Sequence, residues 1–379
     1  MTNQNSGDQS LCGLSRRSLL ESAAALLSIP FVAKSTVAWA EEKLAGSGEV
    51  IYFSYGGSFT EGIRRYVFDP FTKATGIKVI DATGDHPGPL IEAMNKAGRI
   101  DWDMTTLGPP YLEMHKAGMF APIDYGIWDP ESIEALPPNT RLNKDAVVGY
   151  SYSMVLAYDK RAFPKGGPKN WVDFWDVKSF PGPRGLYAAE AKFNYVSALV
   201  AAGVASRDIW PLTDDKLDRA FEKLNEIKPH ITKWWSAGGE APQLLINREY
   251  AIASAYDGRL VSAIRQGAPI KFVWDGAYLT NSYSVILKGG PNTANAQKLL
   301  AFMNRAQIAA GWTLGTGYPA PNPDQLKYLP AELRPLLSVS PENASKCIIE
   351  DTAWLDAKRA DGKTNIDHIQ ERWTTWRAS

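Results

Sequence analysis

The 379-residue sequence predicts an α/β fold of two lobes, built from discontinuous stretches of chain and joined by crossing strands. Short apolar runs alternate with helical patterns, the signature of a mostly parallel sheet covered on both faces. Two long extended segments, 147–159 and 270–287, lie more than a hundred residues apart, as expected of a chain that crosses to a second lobe and returns. No internal repeat, charge run or low-complexity linker interrupts this order. The reading assigns 48–152 plus 279–324 to one lobe and 153–278 plus 325–379 to the other. A cleft between them is the favoured place for a ligand.

The elements follow in order. Residues 1–40 read as a signal peptide. Arg16 and Arg17 precede an apolar stretch from Ala23 to Ala33, and Ala38-Trp39-Ala40 supplies the small-x-small cleavage pattern. The apolar stretch is too short to span a bilayer core of about 30 Å. The paired arginines are similar to a twin-arginine export signal. Leu19 stands where Phe is commoner and Glu21 where Lys is usual, so Sec export is the alternative. Next, Glu49–Ser54 reads as a buried strand ending in Tyr55-Gly56-Gly57-Ser58, a turn that opens a helix with Ile63, Val67 and Phe71 on one face. Pro70 is expected to kink or interrupt that helix. Ile77–Asp81 is a second strand, Leu90–Ala97 a helix closed by Gly98, and Asp103–Leu107 a third strand before Gly108-Pro109-Pro110. Helices are expected at 171–176, 194–203, 217–227, 243–249 and 294–311, with a strand at 251–256.

Composition narrows the function. Lys plus Arg and Asp plus Glu are equal at 41 each. Without Arg16, Arg17, Lys34, Asp8 and Glu21 of the leader, the remaining chain is one charge negative. Nothing supplies the cationic surplus that phosphate neutralisation requires, so nucleic acid is not an expected partner. Of two cysteines, Cys12 leaves with the leader and Cys347 stays alone, which excludes a disulfide scaffold. The four His show no metal-ligand spacing, and no nucleophile-elbow, phosphate-loop or zinc-protease motif occurs. An exported hydrolase using paired carboxylates is the different-class alternative. The 13 Trp, 16 Tyr and 13 Phe are the unusual feature, read mainly as core and partly as ligand-stacking surface.

A set of segments in fixed order carries a family resemblance: 71–79, 101–104, 169–175, 180–182, 236–240, 256–259, 288–292 and 317–322. Across the whole chain after residue 40, the sequence resembles the extracellular solute-binding proteins of bacterial ABC importers, of the spermidine/putrescine-binding type. The resemblance implies the two-lobe type II periplasmic binding protein fold and hinge closure on ligand. It also implies an inner-membrane ABC permease as partner, a soluble periplasmic monomer and no cofactor. Iron-binding relatives of the fold use adjacent tyrosines, whereas here the adjacent aromatic pair is Trp234-Trp235.

The resemblance also locates the candidate site. The acid that polyamine binders carry after the first strand falls near Gly57 and Ser58. Their acidic pair at a second-lobe helix becomes Glu190 and Phe193, close to Asn194. Their Trp-x-Asp on the returning strand becomes Thr280 and Ser282. Tyr256 replaces a Trp, and Tyr318 matches a Tyr. Aromatic surface is thus kept while negative charge is lost, which points to an amino-acid-derived solute, opine-like or γ-amino-acid-like, with polyamine as the alternative. A carboxylate would meet the helix start at Gly57-Ser58 or Arg259, which reads equally as a structural ion pair. A single amine would meet Glu190, Glu240 or Asp257. Tyr55 and Trp235 complete the set as stacking faces.

Overall fold

The computed structural model describes residues 43–108, 111–137, 140 and 144–379. The leader with its Arg pair and cleavage pattern, and Pro109-Pro110, lie outside the described residues. Nine strands form one mixed sheet: β1 Glu49–Ser54, β2 Lys78–Thr83, β3 Met104–Leu107, β4 Ala146–Asp159, β5 Arg184–Tyr187, β6 Ile231–Trp235, β7 Ile252–Tyr256, β8 Ile270–Ile286 and β9 Ile348–Ile349. Their order is β2-β1-β3-β8-β4-β7-β5-β6, with β9 alongside β8. At one side β2, β1 and β3 run parallel, and at the other β7, β5 and β6 do. Between them the long antiparallel pair β4–β8 crosses from one group to the other.

Side chains pack into three clusters about that crossing. Two draw on residues 44–150 and 283–320 and together make the first core; the third draws mainly on residues 154–278 and 329–373 and makes the second. The β4–β8 ladder slips between Val148 and Tyr150 and again between Met154 and Leu156, close to where the cores part. A bulge adds residues to one strand and bends it. Gly149 occupies the first slip, where a Cβ would come within 2.6 Å of the Ser284 hydroxyl. Gly276, with φ 72°, lies in the stretch of β8 skipped at the second.

Several expectations about elements are refined. The first helix is interrupted near Pro70, as expected, without ending there. A single π turn, Arg64–Phe68, links Gly57–Ile63 to Asp69–Thr75, which absorbs a residue without the amide hydrogen that an α turn needs. Glycines fix that helix in place: a Cβ on Gly62 would sit 2.1 Å from the Gly315 carbonyl oxygen, so the helix crosses Ala306–Thr316 at backbone contact. The expected single helix 294–311 is two, Thr293–Met303 and Ala306–Thr316, broken where Arg305 turns extended and its Nε pairs with Asp129 at 2.6 Å. The helix expected at 243–249 runs Glu240–Ile246 instead, because the Glu240 carboxylate accepts the Ser236 and Ala237 amides at its start.

Candidate functional site

A cavity of about 550 Å³ opens where the cores meet. Its position follows from topology, because ligands in open parallel sheets sit beyond the carboxyl ends of the strands. Each parallel strand delivers wall residues just past that end: Tyr55 after β1, Asp85–Pro89 after β2, Gly108 after β3, Glu190 after β5, Ser236 after β6 and Arg259 after β7. Residues of the crossing strands, Tyr150, Tyr152 and Ser282, line it as well.

Local sequence explains how each side chain is aimed. Gly56 and Gly57, with φ 67° and 53°, take the left-handed backbone that the tight turn after β1 requires. That turn places Phe59 one helical turn beyond Tyr55, with ring centroids 5.5 Å apart. Trp312 meets Phe59 edge-on at 5.6 Å and fixes its rotamer. Past the bulge at Gly149, Tyr150 and Tyr152 fall on the same face of β4. Rings then touch in sequence across the cavity: Phe59 to Tyr150 at 5.9 Å, Tyr150 to Tyr152 at 6.0 Å, Tyr152 to Tyr256 at 5.8 Å and Tyr256 to Tyr187 at 5.6 Å. Tyr318 joins Tyr150 at 5.2 Å. An aromatic band thus runs from one core to the other.

The charges on this band are segregated. Arg259, in the first turn of helix Asp257–Arg265, lies 5.4 Å over the Phe59 ring. It reaches the opposite core through long contacts, 3.4 Å each, to the Ser58 hydroxyl and the Tyr55 carbonyl. Among the described residues it pairs with no carboxylate. Glu190 precedes helix Ala191–Ala201 and is partly exposed, with Lys192 Nζ 3.5 Å away. The tyrosines register both fields. Burial raises the Tyr152, Tyr256 and Tyr187 hydroxyl pKa values, and Glu190 pushes each further up. Burial also raises Tyr150 and Tyr318, but there Arg259 pulls the other way. Arg259 thus stands at the part of the band formed by Phe59, Tyr150 and Tyr318, and Glu190 at the part formed by Tyr152, Tyr187 and Tyr256.

Of the residues expected at the site, Tyr55, Glu190, Tyr256, Arg259, Ser282 and Tyr318 line the cavity together. Others are placed elsewhere, each for a physical reason. Trp235 is fully buried behind the wall, tilted against Tyr187 with ring centroids 4.4 Å apart, and its indole N–H is donated to Ser254. The Asn194 amide donates to the Tyr187 carbonyl and holds the end of β5. Glu240 serves its own helix start and pairs with Lys233 at 3.1 Å. The Ser236 and Ala237 amides pull its pKa down to about 2. Asp257 is buried and accepts the Ser153 amide at 2.9 Å, and burial pushes its pKa up to about 7. Thr280 donates to Glu350 at 2.8 Å. Gly57 shapes the turn, and Ser58 meets Arg259 without lining the cavity.

Sequence reasoning missed Phe59, Tyr150, Tyr152 and Tyr187, together with Thr352, Ile366 and Gln370 from the C-terminal segment. The Tyr-x-Tyr spacing at 150 and 152 was a usable signal, since alternate residues of a strand share a face. The C-terminal residues gave none, because only long-range docking brings them in: Gln370 accepts the Ala191 amide and donates to the Ala189 carbonyl. Among the described residues no group of three or more His, Cys, Asp or Glu is placed to hold a metal ion. None of their helices is long and apolar enough to cross a membrane.

Residues 67–331 match the sequence profile of the bacterial extracellular solute-binding proteins. The chain belongs to that family. A gamma-aminobutyric acid-binding protein of Pseudomonas aeruginosa is 30% identical to this solute-binding protein over 351 residues, 90% of this chain and 94% of that one. A solved ABC transporter structure from Rhodopseudomonas palustris CGA009 superposes with a TM-score of 0.79 at 32% identity, over 86% of this chain and 99% of that chain. The binding protein AgtB of Agrobacterium tumefaciens R10, solved with agropinic acid, superposes with a TM-score of 0.76 at 28% identity, over 88% and 99%. The two-lobe fold of these neighbours is the fold described above.

Proposed function

We propose that this protein captures a small amino-acid-derived zwitterion, opine-like or γ-amino-acid-like, in the periplasm and presents it to an ABC import permease. The observation that carries the reading is the segregation of charge: Arg259, without a carboxylate partner among the described residues, stands at one part of an aromatic band and Glu190 at another. A carboxylate pairs bidentately with the guanidinium, an ammonium meets Glu190, and the carbon chain lies on tyrosine faces. The ligands of the Pseudomonas and Agrobacterium relatives support this class. The cavity volume falls within the range that encloses drug-sized solutes, which favours an opine-sized ligand over a bare γ-amino acid.

The closing bodies are 48–152 plus 279–324 and 153–278 plus 325–379. Their separate cores support the division. Solute contacts from both sides stabilise the closed form, which docks on the permease as a monomer after residues 1–40 are removed. A polyamine is the second reading, favoured by Asp85 and Glu92, wall residues with no ion pair among the described residues. Mass spectrometry of solute released from purified protein, with a thermal-shift panel of γ-aminobutyrate, opines, putrescine and spermidine, decides between them. Stabilisation by the polyamines alone would replace the first reading with the second.

A further inference from the structure

Behind Glu190 lies a buried polar cluster that the proposed binding mode does not use. Lys192, the second residue of helix Ala191–Ala201, is only 2% exposed. A cation in the first turn of a helix opposes the helix dipole, so something stronger must hold it there. Its Nζ sits 2.7 Å from Glu350 Oε2 and 3.5 Å from Glu190 Oε2, and lies 5.1 and 5.7 Å from the Phe193 and Tyr278 ring centroids. Glu350, also 2% exposed, accepts the Tyr278 hydroxyl at 2.6 Å and the Thr280 hydroxyl at 2.8 Å. Two carboxylates and two aromatic faces around one ammonium form a complete alkylammonium cage. Glu190 and Thr352 separate it from the solute cavity.

We infer that Lys192 is the built-in occupant of an alkylammonium site, and that its tethered ammonium bars amines and polyamines from this end of the cavity. A buried carboxylate without a counterion is strongly disfavoured, so an emptied cage would recruit a free cation. Burial works against the charge on Lys192, yet Glu350 and Glu190 together more than offset it, leaving its pKa above the ordinary lysine value. Two carboxylates against one ammonium leave the cluster one charge negative, and Glu190 is its member on the cavity wall. Lys192 thereby sets specificity at this end of the cavity: it leaves the cluster one uncompensated carboxylate, Glu190, enough for one amine and too few for two.

This inference rests on the cavity being a solute site, and its test separates the two. Lys192→Ala deletes the equivalent of propylamine, so propylammonium is the probe. The variant is expected to lose thermal stability and to regain about 3 °C or more in Tm with saturating propylammonium. Propanol and matched sodium chloride are expected to do neither, and wild type is expected to respond to none of the three. Putrescine should bind the variant at least about tenfold more tightly than wild type. A Lys192→Ala, Glu350→Gln double variant removes the charge need and should ignore propylammonium. If Lys192→Ala folds only in the presence of an additive, refolding yield is read instead: rescue by propylammonium and not propanol supports the inference, and rescue by both or by neither overturns it. Equal response to propylammonium and propanol, or a wild type that binds alkylammonium as well as the variant, also overturns it. Wild type stabilised by zwitterions while Lys192→Ala ignores amines would sink this inference alone. A responsive Lys192→Ala with a wild type stabilised by none of the thermal-shift panel would sink the proposed function alone.

Discussion

Arg259 lines the cavity and Lys192 pairs with a residue of its wall, and the two cations are treated in opposite ways. Lys192 is sealed behind the wall between two carboxylates. Arg259 projects over Phe59, hydrogen-bonds the Ser58 hydroxyl and the Tyr55 carbonyl through its guanidinium only at 3.4 Å, and pairs with no carboxylate among the described residues. A paired charge is spent on structure; an unpaired one in a cavity is kept for a ligand. The same distinction sorts the acids. Glu350 and Glu240 are occupied by hydrogen bonds and ion pairs, whereas Glu190 faces the cavity with a carboxylate only loosely shared at 3.5 Å.

The largest effect expected from this comparison comes at Arg259. Arg259→Ala should weaken zwitterion binding by about 100-fold or more, as truncating one partner of a desolvated charge pair does. Arg259→Lys should recover only part of that, because an ammonium cannot make the two parallel bonds of a guanidinium. Isothermal titration checks both, and a variant that binds within about threefold of wild type would break the assignment. Glu190→Gln comes next. It should cost about tenfold for a zwitterion while leaving a dicarboxylate analogue unaffected or improved, since only the amine contact is lost.

Asp257 sharpens the comparison, because it lies two residues from Arg259 and yet does not pair with it. It instead accepts the Ser153 amide in a buried site that pushes its pKa up to about 7. The folded protein therefore holds that proton up to about pH 7, while an unfolded aspartate releases it near the ordinary value of 3.8. Stability from this group is full below about pH 4, declines as pH rises through the window to about 7, and then levels off. Asp257→Asn should flatten the wild-type decline of Tm across that window by about 2 °C or more while changing solute affinity by less than about threefold. A large affinity loss would mean that Asp257, not backbone geometry, positions the guanidinium.

The sequence and the structure agree unevenly, for physical reasons. The parallel strands and the long crossing segments were legible because burial on both faces leaves unbroken apolar runs: β4 appears one residue from its expected start and β8 one from its expected end. The family resemblance brought Tyr256 and Arg259 to the candidate site, and the structure sets them on the cavity wall at and just past the carboxyl end of β7. Asn194 and Trp235 were misplaced by a single layer, which depends on helix phase and ring packing that periodicity does not set. The C-terminal helix Asn365–Ala378 was passed over although Thr364 and Asp367 form a capping box, a signal readable at three-residue spacing. Its contribution through Gln370 was not readable, since docking across more than 170 residues leaves no local trace.

The smallest expected effect tests whether exposed charge follows the same logic as buried charge. At the edge of the cavity Lys116, from helix Tyr111–Lys116 on the first core, pairs with Asp356 on the second at 2.8 Å and with Glu113 at 3.0 Å. This bridge spans the two cores, so under the proposed closure it would favour the closed form. Its side chains are a quarter to a half exposed, however, and exposed pairs contribute little because water competes and ordering two side chains costs entropy. Lys116→Ala should therefore raise Kd only about two- to fivefold at low salt, through faster release. That difference should vanish near about 0.5 M salt, where the screening length falls to a few ångström. The loss in Arg259→Ala should persist at the same salt, because its partner is met inside a cavity walled by buried rings. If Lys116→Ala proved as damaging as Arg259→Ala, or if both effects faded together with salt, burial would not be what separates the two cations. Stopped-flow release rates for wild type and both variants across a salt series decide it.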